Sequence, residues 1–285
     1  MKTFKTALLL TALTLLLLFA GQAIAGQRGM TIALVFAVIM NGTAYFFSDK
    51  IALMSSGARP VTREQSPRLY AVMERLAAKA SLPVPKLYII PQQAPNAFAT
   101  GRNPSHASVA VTEGLMELMD DEELEGVIAH ELSHVRNYDI LTSSIAATIA
   151  GAVTWIASMG RWAMIFGGWG GGREDDREGG GIAALLMLFL APLAALLLQL
   201  GISRQREYQA DASGAKMVGH PYGLARALEK LGSYNKRIPM DISPSTAALC
   251  IVAPLTGRQF LSSLFSTHPP LADRIARLQN MVTRE

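Results

Sequence analysis

The chain has 285 residues, of which 50% are apolar and only 17% are charged, proportions that point away from an ordinary soluble globule and towards a membrane protein. The formal net charge of +4 would fit a nucleic-acid partner, but basic residues such as Lys2, Lys5 and Lys50 lie beside apolar segments. Membrane topology explains these charges, so no nucleic acid is expected as a partner. Cys250 is the only cysteine, which excludes an internal disulfide.

Four segments are nearly free of charge and approach the ~20 residues that a helix needs to cross a bilayer. They cover residues 6–25, 29–47, 140–160 and 182–202. The first two are separated by a short turn around Gln27 and Arg28, which predicts a transmembrane hairpin. An alternative stays open for the first segment, because Lys2, Lys5, a leucine-rich run and Ala23-Ile24-Ala25 also resemble a cleavable secretory signal.

The apolar segments divide the chain into four parts. Residues 1–47 are the predicted N-terminal hairpin, and 48–139 the first part of a soluble domain. Residues 140–202 are a second hairpin with a glycine-rich loop at 167–181, and 203–285 complete the soluble domain. Two crossings separate the soluble parts, so both lie on the same side of the membrane and can form one site.

Helices and short strands are predicted in the soluble parts. Ser66 and Pro67 mark the start of a helix that ends before Pro83. Asp120 caps another helix that runs through His134, with acidic residues in its first turn. The remaining predictions are strands at 86–90 and 108–112, amphipathic helices at 203–218, 221–231 and 269–282, and a short core or interfacial segment at 247–255.

The sequence His130-Glu131-Leu132-Ser133-His134 places two imidazoles on one face of the predicted helix. Neutral histidines favour zinc, which lowers the pKa of a bound water to about 7 and so makes it a nucleophile. Glu131 is the predicted general base. The alternative is a chance spacing of two histidines beside a glutamate that supports the helix, but the cap, the adjoining apolar segment and an available third ligand disfavour it.

A catalytic zinc site needs three protein ligands and an open fourth position. Glu207 is the candidate third ligand, and Asp211, one helical turn further on, is placed to accept a hydrogen bond from a ligand histidine and so fix its tautomer. The alternative makes Glu207 and Asp211 part of a solvated charged face with Arg204 and Arg206.

Four motifs stand out together along the chain. They are Asn96-Ala97-Phe98-Ala99-Thr100-Gly101, Ala129 to His134 with Asn137 and Asp139, Ser203-Arg204 through Glu207 to Asp211, and Thr267-His268-Pro269-Pro270-Leu271 with Arg274-Ile275. With these motifs the chain resembles the HtpX membrane metalloproteases, heat-shock-linked relatives of the CaaX prenyl proteases. The resemblance covers nearly the whole chain and implies an α-helical membrane protein with an α+β zincin-like catalytic domain of the gluzincin type and about four transmembrane helices.

The resemblance implies a zinc endopeptidase with one Zn²⁺ per chain. Its expected location is the bacterial inner membrane, as a multi-pass protein whose catalytic domain faces the cytoplasm. Its expected partners are the lipid bilayer and misfolded or damaged membrane or cytosolic proteins, which it would degrade in stress response and membrane protein quality control.

The resemblance also implies residue roles. His130, His134 and Glu207 match the zinc ligands, Glu131 the catalytic glutamate, Asp211 the partner of a ligand, His268 an oxyanion-stabilising histidine and Asn96 the substrate-binding edge. From the residues alone, His268 stands before two prolines and has the alternative role of capping the last helix. The glycine-rich loop at 167–181 departs from the family pattern.

An extended substrate is expected to pair through main-chain hydrogen bonds with a strand such as 108–112, just ahead of the metal helix. Two other classes of protein stay open. A transporter is disfavoured because ion pathways generally need ionisable groups, and the cores of the four spans offer only hydroxyls and amides such as Gln199. A non-enzymatic zinc scaffold would have a closed metal site and no need of Glu131.

Overall fold

In the computed structural model, the described residues are 2–149, 151, 203–234, 249–252 and 269–282. His268, the glycine-rich loop and the fourth predicted span lie outside them, as do residues 150 and 152–160 of the third span. The helices are α1 (Lys2–Ser55), α2 (Pro67–Ala80), α3 (Glu113–Leu118), α4 (Asp121–Arg136), α5 (Asp139–Ile149), α6 (Arg204–Val218), α7 (Tyr222–Tyr234) and α8 (Leu271–Val282). The strands are β1 (Arg59–Pro60), β2 (Lys86–Ile90), β3 (Ala97–Gly101) and β4 (Ala107–Thr112).

Helix α1 turns back on itself at Gly26, whose φ of 55° is readily adopted by glycine. The two arms then touch at two further glycines, since a Cβ on Gly21 would lie 2.4 Å from the carbonyl oxygen of Gly29. Further along, Asn41 Nδ2 donates to Thr14 Oγ1 over 2.8 Å. The predicted N-terminal hairpin is therefore a helical hairpin whose arms approach closely because glycine lacks a side chain.

The hairpin packs against α5. Thr6 Oγ1 and Thr142 Oγ1 are hydrogen-bonded at 2.9 Å, whereas Ile32 and Ile39 on the second arm are 70% and 62% exposed. Within the described residues, one helix, Ala25–Ser55, is long and apolar enough to cross a membrane. The apolar contact with α5 is formed by Leu13, Ala44, Ile145, Ala146, Ala147 and Ile149.

A four-stranded sheet has the order β1-β2-β4-β3. Strand β4 runs parallel to β2 and antiparallel to β3, so both of its edges are already hydrogen-bonded. The predicted strands at 86–90 and 108–112 are confirmed, but the prediction that 108–112 pairs with substrate is wrong. The edge strands are β1 and β3, and β3 lies next to β4. Strand β3 was not predicted because Ala97 to Gly101 is rich in small residues of low strand propensity.

Helix α4 lies at the centre of the soluble part and packs on α2, α6, α7 and β3. Its predicted start is confirmed as a capping box, in which Asp120 Oδ1 accepts from Glu123 N and Glu123 Oε2 accepts from Asp120 N, each over 2.9 Å. The core between the sheet and the helices includes Leu69, Met73 and Leu76 of α2, Val109 and Val111 of β4, and Ile128 and Leu132 of α4.

We expect Gly126→Ala to lower the free energy of unfolding by about 1 to 3 kcal/mol, because overpacking a tight contact forces the backbone apart. A Cβ on Gly126 would lie 2.4 Å from the backbone nitrogen of Leu224 in α7. The control is Gly42→Ala in α1, where a Cβ meets nothing within 4 Å. Denaturant titration in detergent measures both variants, and equal losses would contradict the close crossing of α4 and α7.

Candidate metal centre

Helices α4 and α6 bring three candidate ligands together. His130 Nε2 and His134 Nε2 are 3.2 Å apart. Glu207 reaches both imidazoles, with Oε1 3.4 Å from His134 Nε2 and Oε2 3.7 Å from His130 Nε2. Within the described residues, these three side chains form the group of histidine, cysteine and acidic residues able to hold a metal ion, with ligand atoms within 4.8 Å of one another.

The distances in this cluster fit a zinc ion. Ligand atoms about 2.0 to 2.1 Å from a tetrahedral ion lie roughly 3.3 Å from each other. The observed separations of 3.2, 3.4 and 3.7 Å match that value. Two imidazoles and one carboxylate are also a donor set that leaves a fourth position open, as a catalytic zinc site requires.

Close packing of α6 on α4 sets this geometry. Gly214 lies against His130, since a Cβ at Gly214 would be 3.0 Å from the His130 backbone nitrogen. Glu207 and Asp211 are only 4% and 3% exposed, and both face α4. The alternative reading of these two carboxylates as a solvated charged face is therefore wrong.

Each imidazole is oriented by a carboxylate on its other nitrogen. His130 Nδ1 lies 2.9 Å from Asp211 Oδ1, as the sequence predicted. His134 Nδ1 lies 3.3 Å from Asp139 Oδ2, a contact that was not predicted because Asp139 stands beyond the end of α4. The chain reaches it through Tyr138, which has a φ of 60°. Because each carboxylate contacts Nδ1, the Nε2 atom of each imidazole is left to bind a metal.

Arg274 of α8 closes the site behind Asp211. Its Nε and Nη2 donate to the two oxygens of Asp211 over 2.8 and 2.7 Å, and its Nη1 donates to the carbonyl of Ile251 over 2.8 Å. The side chain is fully buried. The sequence showed Arg274 only as part of a motif, and no local pattern indicates which carboxylate it meets.

Asp211 and Arg274 stabilise each other's charged form in the protein interior. Burial raises the pKa of Asp211, but the Arg274 guanidinium and the hydrogen bonds from Arg274 and His130 outweigh it and hold that pKa at about 2. Burial also lowers the pKa of His130. Asp211 is thus a carboxylate and His130 a neutral imidazole, which is the form that binds zinc.

The pKa values of Glu131 and His134 are also shifted, by burial and by the charges of neighbouring side chains. Burial raises the pKa of Glu131 to about 7, and the charge of Glu207 adds to the shift while His134 opposes it. Burial lowers the pKa of His134, but Glu207 and Asp139 outweigh it and raise that pKa to about 9. The negative potential that holds a proton on His134 also attracts a metal cation, whose binding displaces that proton.

A small cavity of about 30 Å³ lies beside the cluster, enough for a water molecule. Glu131 faces this cavity and is only 2% exposed. A hydrogen bond with the backbone of Ala99 ties its carboxylate to the edge strand β3. Cys250 and Ile251 also line the cavity. Of the residues described in the 247–255 segment, Cys250, Ile251 and Val252 are buried, in line with the core prediction, and Leu249 is half-buried.

Asn96 stands at the start of the edge strand β3, as expected of a residue at the substrate-binding edge. Its side chain is already engaged within the protein, where Nδ2 donates to Val252 O over 2.9 Å and Oδ1 accepts from Ala97 N over 3.1 Å. Its contact with substrate stays a prediction. The oxyanion role of His268 also stays a prediction, because that residue lies outside the described ranges.

We expect Asp139→Asn to weaken zinc binding by roughly 10- to 100-fold, because outer partners of ligand histidines contribute about that much to metal affinity. Competition with a chromogenic chelator measures the affinity. The control is Asp121→Asn in the first turn of α4, where the carboxylate is 85% exposed and pairs with Arg68. Equal affinities of the Asp139 variant and wild type would remove Asp139 from the site.

The family of the chain follows from comparison with known proteins. Residues 63–282 match the model of a family described as Peptidase family M48, a span that contains all three candidate ligands. The chain belongs to peptidase family M48. It is accordingly a metalloprotease, and the expected hydrolase class is confirmed.

Two curated relatives show which branch of M48 this peptidase resembles. A protein named Protease HtpX homolog from Desulfatibacillum aliphaticivorans is 59% identical over 274 residues, which cover 96% of this chain and 88% of the relative. A protein of the same name from Thermodesulfovibrio yellowstonii is 54% identical over the whole of both chains. The resemblance to HtpX proteases is confirmed, and this M48 peptidase is of the membrane-associated type.

A solved structure shares the fold of this M48 peptidase. The crystal structure of S. mikatae Ste24p aligns with a TM-score of 0.53 and 22% sequence identity. The alignment covers 97% of this chain, which spans 64% of the length of that chain. At this identity the likeness concerns the fold alone.

Proposed function

We propose that this M48 peptidase is a membrane-anchored zinc endopeptidase that degrades misfolded or damaged proteins. The observation that carries the proposal is the convergence of His130, His134 and Glu207 beside a cavity that Glu131 faces. The proposed location is the bacterial inner membrane, with the catalytic domain in the cytoplasm and a role in membrane protein quality control.

In the proposed mechanism, His130, His134 and Glu207 would hold a zinc ion, which when bound would supply Lewis acidity for the scissile carbonyl and for water. Glu131 takes a proton from the attacking water and returns it to the leaving amine. Its pKa of about 7 suits both transfers, because a general acid-base group works best when its pKa is near the working pH. His268 is the proposed oxyanion donor.

Two carboxylates have positioning roles in this mechanism. Asp211 and Asp139 accept hydrogen bonds from the Nδ1 atoms of His130 and His134, so each imidazole presents Nε2 to the metal. The positive charge of Arg274 compensates the negative charge of Asp211, so that Asp211 stays an ionised carboxylate in the protein interior. These groups act through the ligands and have no contact with substrate in the proposal.

Substrate is proposed to bind as an extended strand along β3. Backbone groups of alternate residues point away from β4, and these include Ala97 and Ala99. The Ala97 carbonyl already accepts a hydrogen bond from Ile251 N over 2.9 Å, and Ala99 lies beside Glu131. Because the cavity there is only water-sized, substrate entry requires the 249–252 segment to move away from β3. Main-chain pairing would give broad cleavage specificity.

The proposed membrane part consists of hairpins at 1–47 and 140–202, with about four transmembrane helices in total. Ala25–Ser55 supports this organisation, because its 31 residues extend about 46 Å and the hydrocarbon core is about 30 Å thick. The bond between Thr6 and Thr142 supports retention of the first segment rather than its removal as a signal. Mass spectrometry of the mature amino terminus tests that point.

The metal site is proposed to lie next to the membrane surface. Asp139, the first residue of α5, contacts His134, so the predicted third span begins directly beside a zinc ligand. The catalytic domain is assembled from 48–139 and 203–285 on either side of the second hairpin. This arrangement places the site within reach of membrane-embedded substrates.

We expect Glu207→Ala to abolish both stoichiometric zinc binding and cleavage, because two imidazoles alone make an incomplete catalytic site. The protein is purified in detergent, zinc is measured by mass spectrometry, and cleavage is assayed on an unfolded membrane protein and on its folded form. The control, Gln209→Ala, alters an exposed residue of the same helix. Unchanged zinc content in the Glu207 variant would refute the proposed third ligand, and equal cleavage of folded and unfolded substrate would refute the quality-control role.

A further inference from the structure

A second cleft opens where α1 meets one end of the sheet, and it has a volume of about 440 Å³. Among the described residues, it shares none of its lining with the metal cavity. The α1 wall carries Phe46, Phe47, Asp49 and Lys50, and the wall at the end of the sheet carries Lys86, Arg102 and His106.

The pairing of the strands explains why basic residues meet there. Lys86 pairs with Ser108 and Gly101 with Ala107, so the start of β2, the end of β3 and the start of β4 share one end of the sheet. Arg102 follows directly after β3 at that end. The α1 wall is fixed in place by an apolar cluster of Ala52, Leu53, Ile90, Ala94, Phe98, Ala110 and Cys250.

The α1 wall has the composition of a membrane boundary. Phe46 and Phe47 end the apolar run and are 57% and 48% exposed, and the charged pair Asp49 and Lys50 follows within three residues. Lys50 Nζ lies 5.3 Å from the centre of the Phe47 ring. Lysine side chains near the end of an apolar helix reach into the lipid head-group region, so the cleft opens at that level if Ala25–Ser55 crosses the bilayer.

The cleft carries an excess of positive charge. Its lining has three basic side chains, Lys50, Lys86 and Arg102, against one carboxylate, Asp49, which gives a formal charge of +2 with His106 neutral. In the part of the chain that the structure describes, none of the three basic groups forms an ion pair. Ammonium and guanidinium groups in this arrangement suit a phosphodiester, which accepts charge-assisted hydrogen bonds.

We propose that this cleft binds the head group of an anionic phospholipid. Lys50, Lys86 and Arg102 contact the phosphate, and the acyl chains lie along Phe46 and Phe47. The two phenylalanines of the α1 wall favour a lipid over free phosphate, since a small anion would leave that apolar surface in water. The inference rests on the proposed membrane crossing of Ala25–Ser55, and the bound lipid would hold the sheet at a set height above the membrane.

The test compares two triple variants of the full-length protein in mixed micelles with equal amounts of phosphatidylglycerol and phosphatidylcholine. Native mass spectrometry measures the ratio of the two lipids retained. Each basic group near an anionic surface contributes roughly a five-fold preference. In the cleft variant we expect the ratio of retained phosphatidylglycerol to phosphatidylcholine to fall by at least roughly ten-fold. In the control variant we expect the ratio to stay at the wild-type value. The cleft variant is Lys50→Gln, Lys86→Gln and Arg102→Gln, and the control is Arg63→Gln, Lys79→Gln and Lys216→Gln.

Three outcomes would overturn the lipid site: an unchanged preference in the cleft variant, an equal loss in the control, or displacement of phosphatidylglycerol by inorganic phosphate. The single variants Lys86→Gln and Arg102→Gln, each expected to lose roughly five-fold, decide the matter if the triple variant misfolds. Flotation of wild type with neutral phosphatidylcholine vesicles after an alkaline wash tests the membrane crossing separately. Release from those vesicles would refute the crossing, whereas retention with no lipid preference would refute only the cleft.

Discussion

Replacing Glu131 by glutamine is expected to lower the rate of peptide-bond cleavage by roughly 10³-fold, because a positioned general base typically contributes 10²- to 10⁴-fold. Glutamine keeps the shape of the side chain and its place in the cavity but cannot take the proton of the attacking water. The zinc content is expected to stay at the wild-type level, since Glu131 is no ligand in the proposed site. Cleavage of an unfolded membrane protein and metal analysis of the same preparation measure the two quantities together.

The matched control for this variant is Glu125→Gln, which makes the same chemical change on the same helix. Glu125 pairs with Arg75 over 2.8 Å, outside the metal cavity. Its variant is expected to cleave at the wild-type rate. Full cleavage by the Glu131 variant would remove that residue from the mechanism, and retained zinc without cleavage would exclude a non-enzymatic zinc scaffold.

Replacing Arg274 by methionine is expected to destabilise the protein by about 3 to 5 kcal/mol, because it leaves the buried carboxylate of Asp211 without its partner. Both hydrogen bonds from the guanidinium to that carboxylate are lost. The control is Arg63→Met, since Arg63 is 62% exposed and its bond to Glu74 lies at the surface. Exposed ion pairs contribute at most about 1 kcal/mol, so the free energy of unfolding of the control should be close to that of wild type.

A double variant separates stability from metal binding. Arg274→Met combined with Asp211→Leu removes both buried charges, and such replacements are often neutral or stabilising. Most of the lost stability should return. The affinity for zinc should stay roughly 10- to 100-fold below that of wild type, because His130 no longer has the Asp211 carboxylate as a hydrogen-bond partner. Recovery of full zinc affinity in the double variant would show that Asp211 does not position His130.

The loss caused by Arg274→Met should depend on pH in a definite direction. In wild type the pKa of Asp211 is held at about 2, below its ordinary 3.8, so its stabilising contribution persists at neutral pH and is lost as the pH falls through about 2. Without the guanidinium, burial acts with less opposition and the pKa rises. The stability difference in metal-free protein should therefore be largest near neutral pH and shrink towards pH 4; a constant difference would contradict the pairing.

Local patterns accounted for much of the fold. The capping box at Asp120, the helix that carries His130 and His134, and the strands β2 and β4 all follow from interactions between residues close in sequence. The strand β3 was missed because Ala97 to Gly101 has weak strand propensity. It becomes a strand through pairing with β4, a contact that no local pattern encodes.

Local sequence patterns predicted the residues of the candidate metal site. Two histidines four residues apart must share one face of a helix, and Glu207 with Asp211 must share one face of another, because helical geometry relates near neighbours in the chain. Tertiary packing brings these faces together, adds Asp139 and Arg274 to the network, and places β3 rather than β4 at an edge of the sheet. Those facts depend on how separate elements pack, and packing joins residues whose distance in the sequence carries no information about contact.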